Sequence, residues 1–153
     1  MRRIGDVYRS ILFVALEAGA LLTPAGVDAK DVPLVAVGEI SANVSRPDVD
    51  VPEVLRATVV EELPAIDLSH ARHRPMILSV SLVRMETEST AQGASTTCVI
   101  SAALRTKKEG NLFAILEGRA HTQAPAVTFA QERAVLRGAV RGALERIPEA
   151  LAQ

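Results

Sequence analysis

The sequence predicts an α+β fold: a two-layer sandwich of strand, helix, three-stranded meander and helix, with the helices on one face of the sheet. Three segments between residues 76 and 121 alternate apolar and polar side chains and are joined by short turns, which is typical of neighbouring antiparallel strands. Two segments with apolar residues at helical spacing flank them, each after a residue suited to cap a helix, Asp50 and Thr128. Two layers follow, because sheet and helices must each bury an apolar side.

The first strand is predicted over residues 34–44, and the first helix begins directly after Asp50. Asp50 and Glu53 form a capping box, and Pro52 lies in the first turn, where its missing N–H is tolerated. Pro64 ends the helix. The strand residues expected to share one face are Leu34, Ala36, Ile40, Ala42 and Val44.

The meander strands are predicted over residues 76–87, 95–106 and 112–121. A loop around Gly93 joins the first two, and a turn at residues 107–110 joins the last two, with Gly110 where a positive φ is expected. Each strand has one apolar and one mixed face, which predicts that helices cover one side of the sheet and leave the other open. The apolar face comprises Leu78, Val80, Leu82, Cys98, Ile100, Ala102, Leu104, Leu112, Ala114, Leu116, Gly118 and Ala120.

The last helix is predicted to begin after Thr128, with Gln131 completing a capping pair, and to end at Pro148. Its apolar stripe recurs at helical spacing and is expected to cover the sheet. The residues of the stripe are Ala134, Val135, Ala139, Val140, Ala143, Leu144 and Ile147.

The mixed face of the meander is the candidate binding surface. Its hydroxyl and charged side chains offer hydrogen bonds, and the apolar side chains among them are anchors of the kind found in protein interfaces. An ordinary solvated sheet explains the same pattern, and an unpaired edge strand is another way to recruit a partner or a second copy. The candidate residues are Ser79, Ser81, Thr97, Val99, Phe113, Ile115, Glu117, Arg119 and His121.

Composition and motifs argue against several function classes. Only 3% of the 153 residues are aromatic and the net charge is −1, so no nucleic-acid binding is expected. Cys98 is the lone cysteine, which forbids an intrachain disulfide, and its place in a strand predicts burial. His70 and His73 stand among arginines that repel a cation, so we expect loop residues and no metal. Neither cofactor nor catalysis is expected, because Glu86 and Glu88 lie at a solvated strand end.

Two short basic segments, residues 72–74 and Lys107-Lys108, are interpreted as solvated surface. The sequence has no long basic run, so these short patches do not indicate a nucleic-acid partner.

Residues 1–29 predict a secretory signal peptide, which leaves residues 30–153 as a single domain. Arg2 and Arg3 precede an apolar run at residues 11–22, and small residues suit cleavage after Ala29. The alternative is a native amphipathic helix retained on the domain, because Glu17 interrupts the run. The run is too short for an integral membrane span. We therefore expect a periplasmic or secreted protein.

A resemblance to known proteins is carried by residues 77–120, ILSVSLVRMETESTAQGASTTCVISAALRTKKEGNLFAILEGRA, with the strand and helix before them and the Ala-rich helix after them. This arrangement is similar to small α/β domains of the bacterial envelope: the amino-terminal domain of TolB-like proteins and the periplasmic domains of CsgG-like assembly lipoproteins. It covers residues 34–150 and lacks the lipidated cysteine of the lipoproteins. It implies a non-catalytic module that binds a protein partner in the envelope or associates with itself. The alternative is a small cytoplasmic binding domain with a retained amino-terminal helix.

Overall fold

The computed structural model describes residues 33–69 and 74–152. Their elements in chain order are β1 (Val35–Ala42), α1 (Val51–Glu62), β2 (Met76–Thr90), β3 (Gly93–Thr106), β4 (Leu112–Ala124), α2 (Phe129–Leu144) and α3 (Ile147–Ala152). One turn of 3₁₀ helix, Leu63–Ala65, follows α1. The predicted α+β class and element order are confirmed, with α3 as an addition. The signal peptide predicted over residues 1–29 lies outside the described residues.

The four strands form one mixed sheet in the order β1-β2-β3-β4. β1 is parallel to β2, with α1 in the connection between them, whereas β2, β3 and β4 are antiparallel neighbours. Val35 is paired with Met76, and Met76 with Thr106. β1 and β2 therefore begin at the same end of the sheet at which β3 ends and β4 begins. We call this the Thr106 end of the sheet.

One face of the sheet is buried under α1 and α2. Leu78, Ile100 and Leu104 have no exposed surface there, and Leu55 of α1 and Val140 of α2 are equally buried. Removing such a side chain from water stabilises the fold by about 1.5–3 kcal/mol each, so this layer contact dominates stability. The predicted inward face of the meander is confirmed except at Leu112, which is 51% exposed.

Two helix caps form as the sequence predicts. The Asp50 side chain accepts a hydrogen bond from the Glu53 N–H at 3.1 Å, and the Thr128 hydroxyl accepts one from the Gln131 N–H at 3.2 Å. Each satisfies an N–H that the first turn of a helix leaves unpaired, which is why these helices begin where they do.

β1 differs from the expectation because of a β-bulge. Its register with β2 shifts between Val37 and Ile40. An extra residue inverts the side-chain alternation, so Val35 and Val37 share the core-facing side with Ile40, and the predicted grouping of Ala36 with Ile40 is wrong. Gly38 lies within the bulge, where a Cβ would overlap the Ile77 side chain. A glycine inside a strand pattern often marks a bulge, so Gly38 was the feature of the sequence that indicated this one.

The last helix also differs from its predicted extent. α2 ends at Leu144, and the chain begins the separate helix α3 at Ile147, with Pro148 in its first turn. Proline is tolerated there because first-turn N–H groups have no intrahelical partner. In the predicted stripe Ala134 is exposed, and Leu136 is buried instead.

α2 rests on β4 at a backbone-to-backbone contact. Gly118 faces the helix, and a Cβ placed on it would lie 2.9 Å from the Ala143 nitrogen and 3.0 Å from the Ala139 carbonyl carbon, with the Ala139 oxygen closer still. Glycine is required at this position because any side chain would overlap the helix backbone.

A buried carboxylate joins the two long helices. Glu62, at the end of α1, accepts from Arg141 Nε at 2.9 Å and lies 3.0 Å from Arg137 Nε, while only 9% of its side chain is exposed. The two arginines are four residues apart on α2, so both reach the same carboxylate.

Candidate functional site

The candidate surface is the open face of the sheet, on the side away from the helices. Its predicted residues alternate with buried ones along β2, β3 and β4. The strand register places them in rows across the sheet: Ser81 with Ser101 and Glu117, Val99 with Arg119, Thr97 with His121, and Ser79 with Ala103 and Ile115. The structure therefore brings eight of the nine predicted residues onto one surface, and their role in binding stays a prediction.

A row of serines crosses the centre of the open face. Ser41 of β1 is paired with Ser81, and their hydroxyl oxygens lie 2.6 Å apart, so one donates to the other. Ser101 and then Glu117 continue the row on β3 and β4. A hydroxyl both donates and accepts, so this row suits a partner that brings either kind of group. Sequence reasoning missed Ser41, because its contact with Ser81 depends on the parallel pairing of two segments that are distant in the chain.

Two ion pairs border this row. Arg84 donates to Glu86 on β2, and Arg119 donates to Glu117 on β4. The hydrogen bond between Arg84 and Glu86 raises the pKa of the guanidinium and lowers the pKa of the carboxyl. Both pairs are half exposed or more, so their contribution to stability is small.

A second bulge brings Arg84 onto the open face. The register of β2 with β3 shifts between Leu82 and Arg84, so Val83 is the extra residue and is 45% exposed. Without that insertion, Arg84 would point toward the helices with Leu82. Sequence reasoning missed Arg84 for this reason, because no glycine or proline marks the site.

The histidine of this face makes one hydrogen bond. His121 Nδ1 lies 3.1 Å from the Thr97 hydroxyl on the neighbouring strand, and Glu86 continues the same row on β2. The described residues hold no group of three or more histidine, cysteine or acidic side chains arranged for a metal ion. His70 and His73 lie outside the described residues.

The apolar anchors differ from the expectation at the start of β4. The register shifts so that Leu104 pairs with Ala114 and Arg105 with Leu112, which leaves Phe113 as the inserted residue. Leu112, predicted to face the helices, is 51% exposed, because the shift removes it from the alternation that Ala114 follows. Phe113 is 38% exposed beside the β3–β4 turn, outside the rows of the open face. Ile115 is the strongest apolar anchor on that face, at 66% exposed.

A partly buried ion pair links the loop after β1 to the helix layer. Arg46, in the loop after β1, donates to both carboxylate oxygens of Glu132 on α2 at 2.6 Å each, and this raises the pKa of Arg46. The Thr87 hydroxyl is 3.5 Å from the same carboxylate, whose side chain is 8% exposed. The adjoining pocket holds about 40 Å³, well below the roughly 300–1,000 Å³ of small-molecule sites. This pair is structural.

The lone cysteine is buried among the core residues. Desolvation raises the pKa of the Cys98 thiol to about 12, so the thiolate needed for nucleophilic attack is scarce at neutral pH. Within residues 33–69 and 74–152, no helix is long and apolar enough to cross a membrane.

Two solved structures have this fold at low sequence identity. The PelC dodecamer from Paraburkholderia phytofirmans matches with a TM-score of 0.54 and 16% identity, over 72% of this chain and 85% of that chain. Protein XCC0632 from Xanthomonas campestris, of the DUF330 family model, matches with a TM-score of 0.50 and 13% identity, over 74% and 80%. No family model and no curated protein matches the sequence. Neither structure is described as TolB-like or CsgG-like, so that finer resemblance stays a prediction.

Proposed function

We propose that this protein is a non-catalytic assembly module of the bacterial cell envelope, which binds a protein surface through the open face of its sheet. The observation that carries the proposal is the asymmetry of the two layers. Helices bury most of one face of the sheet, whereas the other holds half-buried hydroxyl and small side chains within the described residues. A protein partner is the class of ligand that matches such a face.

The shape of the open face favours a macromolecule over a small ligand. Ser81, Ser101 and Ala103 are small, so the centre of the face is flat and lets a partner's backbone approach. Ile115 and Val83, which are 66% and 45% exposed, are the apolar anchors beside it. A flat polar surface with exposed apolar side chains beside it is typical of protein interfaces, whereas small-molecule sites are concave.

The acidic side chains of the face support a non-catalytic role. A general acid needs a carboxyl pKa raised by burial, yet Glu86 is exposed and its pKa is lowered by Arg84. Glu117 forms an exposed ion pair with Arg119. Exposed, ion-paired carboxylates are poorly suited to act as a general acid.

A second copy of the chain is the first partner to test. PelC, which has the same fold, is described as a dodecamer. Both β1 and β4 have one strand edge without a neighbour in the described sheet, so edge pairing is available as well as face packing.

The test uses light scattering and sedimentation velocity on the full chain and on Ser101→Arg. A long charged side chain at the centre of the face blocks close approach, so we expect an assembled wild type and a dissociated variant. Ala57→Arg, on the exposed side of α1, is the matched control and should assemble like the wild type. If Ser101→Arg assembles normally, the open face is not the contact surface.

A heterologous envelope partner is tested by cross-linking in the native host. Wild type and Ala57→Arg should give the same cross-linked product, and Ser101→Arg should lose it. Mass spectrometry of the native amino terminus tests the compartment: a chain that begins at residue 30 supports export, whereas an intact Met1 favours the cytoplasmic alternative.

A further inference from the structure

We propose that the Thr106 end of the sheet docks on an anionic lipid surface, which is a different surface and partner from those of the proposed function. The fold brings Arg74, the last residue of the first basic segment, to the second basic segment at this end. The Lys107 N–H donates to the Pro75 carbonyl at 2.9 Å, so Arg74 lies beside Lys107 and Lys108. These residues line a surface cleft of about 470 Å³, which is roomy enough for a lipid headgroup phosphate.

The cations at this end have no acidic partner of their own. Arg74, Arg105, Lys107 and Lys108 make no ion pair within the described residues, unlike the arginines of the open face and of α2. Arg105 donates to the Gly110 carbonyl at 3.3 Å, which holds its guanidinium over the turn. Glu109 lines the same cleft and accepts a hydrogen bond from the Thr106 hydroxyl at 3.4 Å, so the four cations exceed the acidic charge of the cleft by three. Anionic headgroups would supply the remaining counter-ions.

Exposed apolar side chains adjoin these charges. Leu112 and Phe113 follow the turn directly and are 51% and 38% exposed. An acidic protein would match the cations alone, whereas the interface of a bilayer accommodates cations and apolar side chains side by side. The juxtaposition therefore favours lipid over an acidic protein.

The test is binding of the full chain to vesicles of phosphatidylcholine with and without phosphatidylglycerol. Each Lys or Arg near an anionic surface strengthens binding about fivefold. We therefore expect Lys107→Glu/Lys108→Glu to lower the preference for phosphatidylglycerol by about 25-fold or more. Arg56→Glu/Arg133→Glu makes the same change in net charge on exposed helix positions and should keep the preference. Circular dichroism checks that both variants fold.

Three outcomes would overturn the proposal. The wild type could show no preference for phosphatidylglycerol, which would leave an acidic protein as the partner of this end. The preference could fall equally in both double variants, which would make it an effect of net charge alone. The preference for phosphatidylglycerol could also stay unchanged when salt is added. Salt screens exposed charges over about 10 Å at 0.1 M, so an unchanged preference would exclude contacts between the cations and headgroups. Leu112→Ser/Phe113→Ser should weaken binding to both kinds of vesicle, and unchanged binding contradicts the apolar contact.

Discussion

Replacing Gly118 with alanine tests how closely α2 packs on the sheet. The new Cβ would lie 2.9 Å from the Ala143 nitrogen and 3.0 Å from the Ala139 carbonyl carbon, and both are backbone atoms that cannot rotate away. The helix must therefore move outward and loosen Val140 and Leu144, which have no exposed surface. Overpacking of this kind costs about 1–3 kcal/mol, and we expect about 3 kcal/mol because a whole helix must shift.

The measurement is urea unfolding followed by circular dichroism, with a thermal melt in parallel. A loss of about 3 kcal/mol corresponds to a lower melting temperature by roughly 10 °C for a domain of this size. Gly142→Ala is the matched control, since a Cβ there has nothing within 4 Å. In a helix that change should stabilise by about 0.5–1 kcal/mol. A Gly118→Ala protein as stable as the wild type, or two variants that shift alike, would refute the close contact.

Three further predictions concern buried polar groups. Arg46→Ala leaves the Glu132 carboxylate buried without its partner, so urea titration should show a free energy of unfolding lower by about 3 kcal/mol. A loss below about 0.5 kcal/mol would show that the Glu132 carboxylate is solvated. Glu62→Gln weakens the charged contacts to two half-exposed arginines and should lower the free energy of unfolding by about 1–2 kcal/mol. The loss should be smaller at high salt, and a loss that does not change with salt would contradict these ion pairs. Cys98 should resist iodoacetamide at pH 8 until the protein unfolds, and rapid labelling of the native protein would show an exposed thiol. Because folding raises the pKa of this thiol from 9.0 to about 12, the free energy of unfolding should not depend on this group below pH 9 and should fall as the pH rises toward 12.

The sequence by itself determined the order of strands and long helices and, apart from Leu112, the inward face of the meander. Alternation along the meander placed Leu78, Ile100 and Leu116 in the core, because a strand turns successive side chains to opposite sides whatever surrounds it. Asp50 and Thr128 marked the starts of α1 and α2, because the hydrogen bonds of a cap form between residues only three apart. Such short-range rules carry over directly from sequence to structure.

The tertiary structure decided what depends on pairing between distant segments. An inserted residue at Val83 inverts the facing of Arg84, and only the register with β3 reveals which residue is the extra one. The contact of Ser41 with Ser81 depends likewise on the parallel pairing of β1. The meeting of Arg74 with Lys107 and Lys108 required the fold, because segments remote in the chain approach each other only when the whole sheet has formed.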